Sequence, residues 1–247
     1  MRKIILSTLS FLLLTLQVTA QRTLIHCGKL IDTKEGKIVT NVTIIVQGNL
    51  ITDVVNGFTT ATTQDKVIDL KNKTVMPGLM DMHVHMESET KKGGAADRFT
   101  MNPPDIAFQS AFYANTTLMA GFTTVRDLGG SLVNLSLRNS INKGLVVGPR
   151  IYSAGKSIAT TGGHADPTNG VAYLRMGDPG PDDGVINGPD DARKAVRQRY
   201  KEGSDLIKIT ATGGVLSVAK SGSNPQFTDE ELAAIVSTAK DYGMKVA

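Results

Sequence analysis

One cysteine and no tryptophan occur in 247 residues, and aromatic residues make up only 5% of the chain. The single thiol, Cys27, excludes an internal disulfide and a cysteine-based zinc site. Cys27 also lacks the apolar, small-residue context expected just before a lipidated cysteine. So few rings argue against stacking platforms for sugars or single-stranded nucleic acid. No segment is low-complexity and the charged share is an ordinary 20%, so disorder is not expected. A basic stripe is missing too. The net charge is +4. Arg2 and Lys3 sit in a leader-like start, and without them the balance is about +2. Arg193, Lys194, Arg197, Arg199 and Lys201 follow Asp190 and Asp191 and read as a solvated helix face. Nucleic acid is therefore not an expected partner.

What is present is apolar residue in quantity, 40% of the chain, enough for a large core. Residues 1–20 read as a secretory signal. Arg2 and Lys3 open it, Ile4 to Leu16 is apolar, and Val18-Thr19-Ala20 is a small-residue cleavage pattern. The apolar run is short for a membrane anchor. The expectation is an exported protein, periplasmic or secreted, with no stable membrane insertion after cleavage.

Two rhythms follow. Residues 21–76 alternate like short strands, at Leu24-Ile25, Lys37–Val39, Val42–Val46 and Lys66–Leu70. Lys34–Gly36, Gln47–Asn49 and Lys71–Lys73 read as turns between them. Residues 77–247 repeat a different unit, a helical stretch closed by glycine and followed by an apolar strand. The helices are expected over 104–120, 131–143, 190–202 and 229–242, closed by Gly121, Gly144, Gly203 and Gly243. The strands are expected at Phe122–Arg126, Pro149–Ser153, Leu206–Thr210 and Met244–Ala247. Thr228 and Glu231 predict a capping box at the last helix. This alternation implies an α/β fold with a parallel sheet, either open and doubly wound or closed as a barrel. Residues 155–189, rich in Gly, Pro and Asp, interrupt the rhythm and read as a long functional loop.

The sharpest signal is Pro77-Gly78-Leu79-Met80-Asp81-Met82-His83-Val84-His85. Side chains alternate along a strand, so Leu79, Asp81, His83 and His85 share one face. A buried stripe with a carboxylate and two imidazoles needs a partner, and a divalent cation would satisfy it. The plainer reading is a pair of structural histidines. Lys208 is the second anomaly, lying in the apolar run Leu206-Ile207-Lys208-Ile209-Thr210. An inward lysine suits a Schiff base, a general base, or a carbamate formed with carbon dioxide. Otherwise it snorkels to solvent. His164, in Thr161-Gly162-Gly163-His164-Ala165-Asp166-Pro167, falls on a loop after a parallel strand, where substrate-binding groups collect. It is a candidate for binding substrate or polarising a carbonyl, against a loop histidine held locally. Thr212-Gly213-Gly214 can present backbone N–H groups but lacks the rest of a nucleotide loop. Arg126 and Asp127 read as a salt bridge at a strand rim.

Taken in order, Pro77-Gly78-x-x-Asp81-x-His83-x-His85, Thr123–Asp127, Gly162-Gly163-His164 and Asp205–Ile209 resemble the amidohydrolase superfamily. More narrowly, they are similar to its imidazolonepropionase-related and Xaa-Pro-dipeptidase-like branch. The resemblance covers nearly all of residues 22–247. It implies a (β/α)₈ TIM-type barrel, of which 77–247 is about the first half, beside a small N-terminal β-sandwich module contributed in part by 21–76. It implies that His83 and His85 bind metal and that Lys208 carries a carboxylate bridging two divalent ions, zinc by default. Further histidines and a general-base aspartate are expected beyond Ala247, so the segment alone is expected to be unstable and inactive.

The implied function is metal-dependent hydrolysis of a C–N bond by a metal-bridged hydroxide. The substrate would be a small amide, such as a dipeptide or an N-acyl amino acid. A cyclic-amide hydrolase acting on an imidazolone or hydantoin ring is the nearest alternative. A Schiff-base enzyme built on Lys208, or a truncated paralogue that only binds, are the distant ones. A homo-oligomer is left open.

Overall fold

The computed structural model describes residues 21–92, 94–214 and 221–247, so the expected signal over 1–20 lies outside the described residues. The chain divides into two compact units, one ending at Pro77 and one beginning at Gly78.

The first unit is a four-stranded sheet. Its strands are β1 (Arg22–Asp32), β2 (Lys37–Gln47), β3 (Leu50–Asn56) and β4 (Lys66–Val75). Their order is β3-β2-β1-β4. β2 carries Val42-Thr43-Ile44-Ile45-Val46, branched residues that suit a pleated surface. It pairs antiparallel with β1, placing Cys27 opposite Val42 and Leu24 opposite Ile45. Cys27, Val42 and Ile44 are buried together, with Ile25 and Leu30 packed against them. Two details differ from expectation. Gln47–Asn49 turns the chain into β3, a strand the alternation pattern did not single out. Lys71–Lys73 is no turn but part of β4, which runs parallel to β1. The reason is a bulge. Cys27 pairs with Leu70, yet Lys29 pairs with Thr74, so the extra residues bow out opposite Gly28. A side chain at Gly28 would overlap the Lys71 carbonyl.

The second unit alternates strand and helix. β5 (Leu79–Val84), β6 (Phe122–Asp127) and β7 (Arg150–Ser153) form a parallel sheet in that order. Between β5 and β6 lie a short turn of helix, α1 (Asp97–Thr100), and α2 (Pro103–Met119); α3 (Leu132–Asn142) joins β6 to β7. α2 starts where the sequence provides for it. Asn102 and Asp105 form a capping box, and Pro103 occupies the first helical position, where a missing N–H is harmless. Val125, Ile151, Met86, Ala114 and Leu137 make the core between sheet and helices.

Beyond β7 the sheet continues in a looser form. Ile158 N–H donates to the Lys208 carbonyl at 2.8 Å and Ile207 N–H to the Lys245 carbonyl at 2.8 Å. Leu206–Thr210 and Met244–Ala247 thus take their expected places, but as isolated parallel bridges rather than full strands. Residues 155–189 are not one bare loop. β8 (Ala159–Thr160) pairs with β9 (Val185–Ile186), and α4 (Tyr173–Met176) lies between them. Ile158 and Ala159 at one end, and Val185 and Ile186 at the other, are apolar and almost wholly buried, which anchors both ends.

Two helices complete the unit, α5 (Pro189–Glu202) and α6 (Asp229–Asp241). Ala192, Ala195, Val196, Ala234 and Ile235 pack with Ile158 and Ile207 beneath the sheet. Gly203 closes α5 at φ 89°, a left-handed conformation that carries no steric penalty in glycine. The Thr228–Glu231 capping box of α6 forms as expected. The expected solvated face of α5 needs one correction: Arg199 is fully buried. Its guanidinium donates to the Asp182 carbonyl at 2.8 Å and lies 3.0 Å from Glu202. Arg199 lies on the same side of the helix as Ala192, Ala195 and Val196, so it points inward and ties the 156–184 segment to α5.

Candidate active site

β5 and the residue just past it carry the two imidazoles to one place. Alternation along the strand puts His83 and His85 on the same face, with ring centroids 5.4 Å apart and planes at 61°. Asp81 shares the face, but its Oδ1 accepts the backbone N–H of His83 at 3.0 Å and braces the strand end. The stripe is not buried as the sequence pattern implied. His83 and His85 are exposed, because this end of the strand opens into a cavity. His85 Nδ1 stands 3.4 Å from the Gly129 carbonyl, on the loop leaving β6.

Lys208 reaches the same cavity from the bridged segment after α5. It is partly buried, and burial, aided by the Arg126 charge, lowers its ammonium pKa below the ordinary lysine range. His83 is shifted down as well, by burial first and then by the charges of Lys208, His85 and Arg126, with Asp81 opposing. Both shifts favour neutral nitrogen, the form that binds metal or reacts with carbon dioxide.

His164 sits on the turn that follows β8. Asp166 Oδ2 accepts Gly162 N–H at 2.7 Å, and Asn169 Nδ2 donates to the Gly163 carbonyl at 2.6 Å. Gln226 Oε1 accepts the His164 backbone N–H at 2.8 Å. The cavity measures about 520 Å³ and its walls include His83, His85, His164 and Lys208 with Thr210 and Ser157. The structure therefore gathers in one cleft all four residues that the sequence nominated separately. Two imidazoles and one lysine with a lowered pKa are a donor set that suits a divalent ion. Among the described residues, no group of three His, Cys, Asp or Glu side chains is close enough to hold a metal.

One correction and one omission concern β6. Among the described residues no ion pair joins Arg126 to Asp127. Arg126 Nε donates to the Met82 carbonyl at 2.7 Å, on the face of His83 and Lys208. Asp127 points the other way and is fully buried. Neighbours on a strand face opposite sides, so the pair could not form. Burial, and then the charge of Glu87, push the Asp127 carboxyl up to about 8. The Met86 and Gly129 amides oppose that shift, but neither makes a well-formed hydrogen bond to it. Glu87 itself accepts Ser131 N–H and Oγ–H at 2.8 and 2.7 Å, capping α3. For Asp127, an acidic residue ending a strand was the available signal.

Residues 74–247 match the model of the amidohydrolase family, and the chain belongs to that family. The chain is 28% identical to the ochratoxinase of Aspergillus niger over 89% of its own length and 48% of that protein's. Among solved structures it resembles a Xaa-Pro dipeptidase with bound methionine in the active site. That similarity has a TM-score of 0.87 and 53% identity, and covers 92% of this chain and 56% of the other. It also resembles a prolidase complexed with N-methylphosphonate-L-proline, with a TM-score of 0.81, 31% identity, and cover of 92% and 55%. The mixed α/β fold is consistent with part of a TIM barrel. The chain spans about half the length of the relatives it matches.

Proposed function

We propose that the whole protein is a metal-dependent hydrolase that cleaves the C–N bond of a small amide, with dipeptides ending in proline and N-acyl amino acids as the first candidates. The observation that carries this reading is the convergence of His83, His85 and Lys208 on one cavity that His164 also lines. The dipeptidase, prolidase and ochratoxinase relatives support amide hydrolysis as the reaction class.

His83 and His85 would each offer one imidazole nitrogen to a divalent ion. Lys208 would add carbon dioxide at its neutral amine. The N–C bond would form with loss of an amine proton to solvent, and the carbamate would offer oxygen donors to the bound metal. Zinc is the default metal for such nitrogen and oxygen donors. When bound, the ions supply Lewis acidity to the scissile carbonyl and acidify water. His164 would hold an oxygen of the substrate from the cavity wall. Further ligands and a general base are assigned to the length of the relatives that this span does not match.

The same reading extends to architecture and location. The parallel series from β5 onward would be the first half of a (β/α)₈ barrel, residues 77–247. The β1–β4 sheet, within 21–76, would belong to a β-sandwich. Residues 1–20 would direct export to the periplasm or medium. No helix among the described residues is long and apolar enough to cross a membrane.

The test is a substrate panel applied to the metal-loaded whole protein. Xaa-Pro dipeptides, N-acyl amino acids and cyclic amides such as hydantoins would be compared by kcat/KM. Preference for the open-chain amides supports the proposal. Turnover of cyclic amides alone transfers the site to ring opening, and trapping of Lys208 by borohydride with substrate would transfer it to Schiff-base chemistry.

A further inference from the structure

Gly214 faces the imidazole of His164 so closely that a Cβ placed there would overlap Nδ1, Cε1 and Nε2 of the ring. The ring fills the space where a side chain would stand. Gly214 does not have a positive φ, so a left-handed backbone is not what calls for glycine here. Conformational need therefore does not explain a glycine here, whereas the imidazole does. The second constraint comes from Gln226. Its side chain accepts the His164 N–H, and its own N–H donates to the Ala211 carbonyl at 2.9 Å. Thr212 bridges Pro225 beside it. Gln226 and Gly214 thus both belong to the segments that follow Lys208, and both lie directly against His164.

We infer that Gly214 and Gln226 are positioning residues that fix where the His164 imidazole stands over the cavity, and that Gly214 thereby determines which substrates fit. The inference rests on the reading of His164 as a substrate-binding group. Gln226 holds the backbone of His164, and Gly214 leaves room for the ring to lie against the strand-end loop. Any side chain at 214 displaces the ring from that station. His164 is exposed, so the ring has solvent to move into and the fold tolerates the change.

The experiment uses the metal-loaded whole protein with Gly214→Ala, His164→Ala, the double variant, Gln226→Leu and Gln226→Glu. Kinetics with an Xaa-Pro dipeptide are read beside the ring resonances of His164 by NMR, assigned from their loss in His164→Ala. Gly214→Ala is expected to shift those resonances and to lower kcat/KM roughly tenfold or more, mainly through KM. The double variant should be no worse than His164→Ala alone, since both changes act through one group. Gln226→Leu should act like Gly214→Ala, while Gln226→Glu, which keeps the accepting oxygen, should stay near wild type. Unshifted resonances in both Gly214→Ala and Gln226→Leu would overturn the positioning role. A double variant whose loss equals the product of the single losses would overturn action through His164. If His164→Ala leaves kcat/KM unchanged while the resonances still shift, the substrate-binding reading of His164 fails and the specificity role of Gly214 falls with it.

Discussion

His85 Nδ1 and the Gly129 carbonyl oxygen stand 3.4 Å apart, joining the end of β5 to the loop that leaves β6. With the proton on Nδ1, the lone pair on Nε2 is free for the cavity. Partners of this kind fix the tautomer and orientation of a metal-binding histidine. Gly129 has φ 150°, and a Cβ there would come within 3.2 Å of the His85 ring. Gly129→Ala is expected to turn the imidazole and weaken metal binding by about 10- to 100-fold. Competition with a chromophoric chelator measures this. Unchanged affinity would remove Gly129 from the account.

Asp127 sets a pH dependence. Its carboxyl titrates near 8 in the folded protein, well above the ordinary carboxylate range. Below about pH 4 both folded and unfolded forms are protonated, and the residue contributes no pH dependence. Between about 4 and 8 the unfolded form has released its proton while the folded form retains it, so stability falls as pH rises. Above about 8 the loss levels off. Asp127→Asn, which removes the charge and keeps the shape, is expected to match wild type near pH 4. At pH 8 it should exceed wild type by something on the order of a few kcal/mol. Denaturant unfolding at the two pH values checks this, and an equal difference at both would contradict it.

Legibility in the sequence followed the physics of each pattern. The α2, α5 and α6 boundaries were readable because local chemistry sets them: Thr228 with Glu231 closes a capping box, and Gly203 terminates α5. His83, His85 and Lys208 were readable because ionisable groups in apolar strands are rare. What escaped depends on partners distant in the chain. The turn-like Lys71–Lys73 became a bulge only because β4 lies against Gly28. Arg199 sits in a run of charges that looks solvated, and its burial is explained by the carbonyls of 156 and 182 together with the Glu202 carboxylate. Arg126 and Asp127 looked like a pair until strand alternation separated them. Gln226 carries no motif at all, since its meaning lies in a contact to a residue 62 positions away.

Arg199 holds the segment between β7 and α5. Its removal leaves the Glu202 carboxylate and the Asp182 carbonyl without their charged donor. Arg199→Met is expected to destabilise the protein by about 3 kcal/mol, the scale of breaking a buried pair. Arg199→Met with Glu202→Leu should recover part of that loss. Chemical denaturation of the three variants reads the difference, and a double variant no more stable than the single would contradict the pairing.

Glu231 serves the starts of two helices at once. One oxygen accepts Thr228 N–H at 2.8 Å, and the other accepts Gly188 N–H at 2.6 Å at the start of α5. Thr228→Ala removes one cap and is expected to cost about 1 kcal/mol. Glu231→Ala leaves two partly buried amides unpaired and should cost about 2 kcal/mol or more. Thermal melts rank them, and equal losses would show that the Gly188 contact adds nothing.

The central claim is that His83, His85 and Lys208 hold metal in one site. The most direct measurement is the metal content of the purified whole protein by mass spectrometry, wild type beside His83→Ala, His85→Ala and Lys208→Ala. ¹³C NMR after exposure to labelled bicarbonate is read on the same samples. About two divalent ions per wild-type chain are expected, fewer in each variant, with a carbamate carbon signal that is absent from Lys208→Ala. Equal metal in all four proteins, or none in wild type after loading, would contradict the claim.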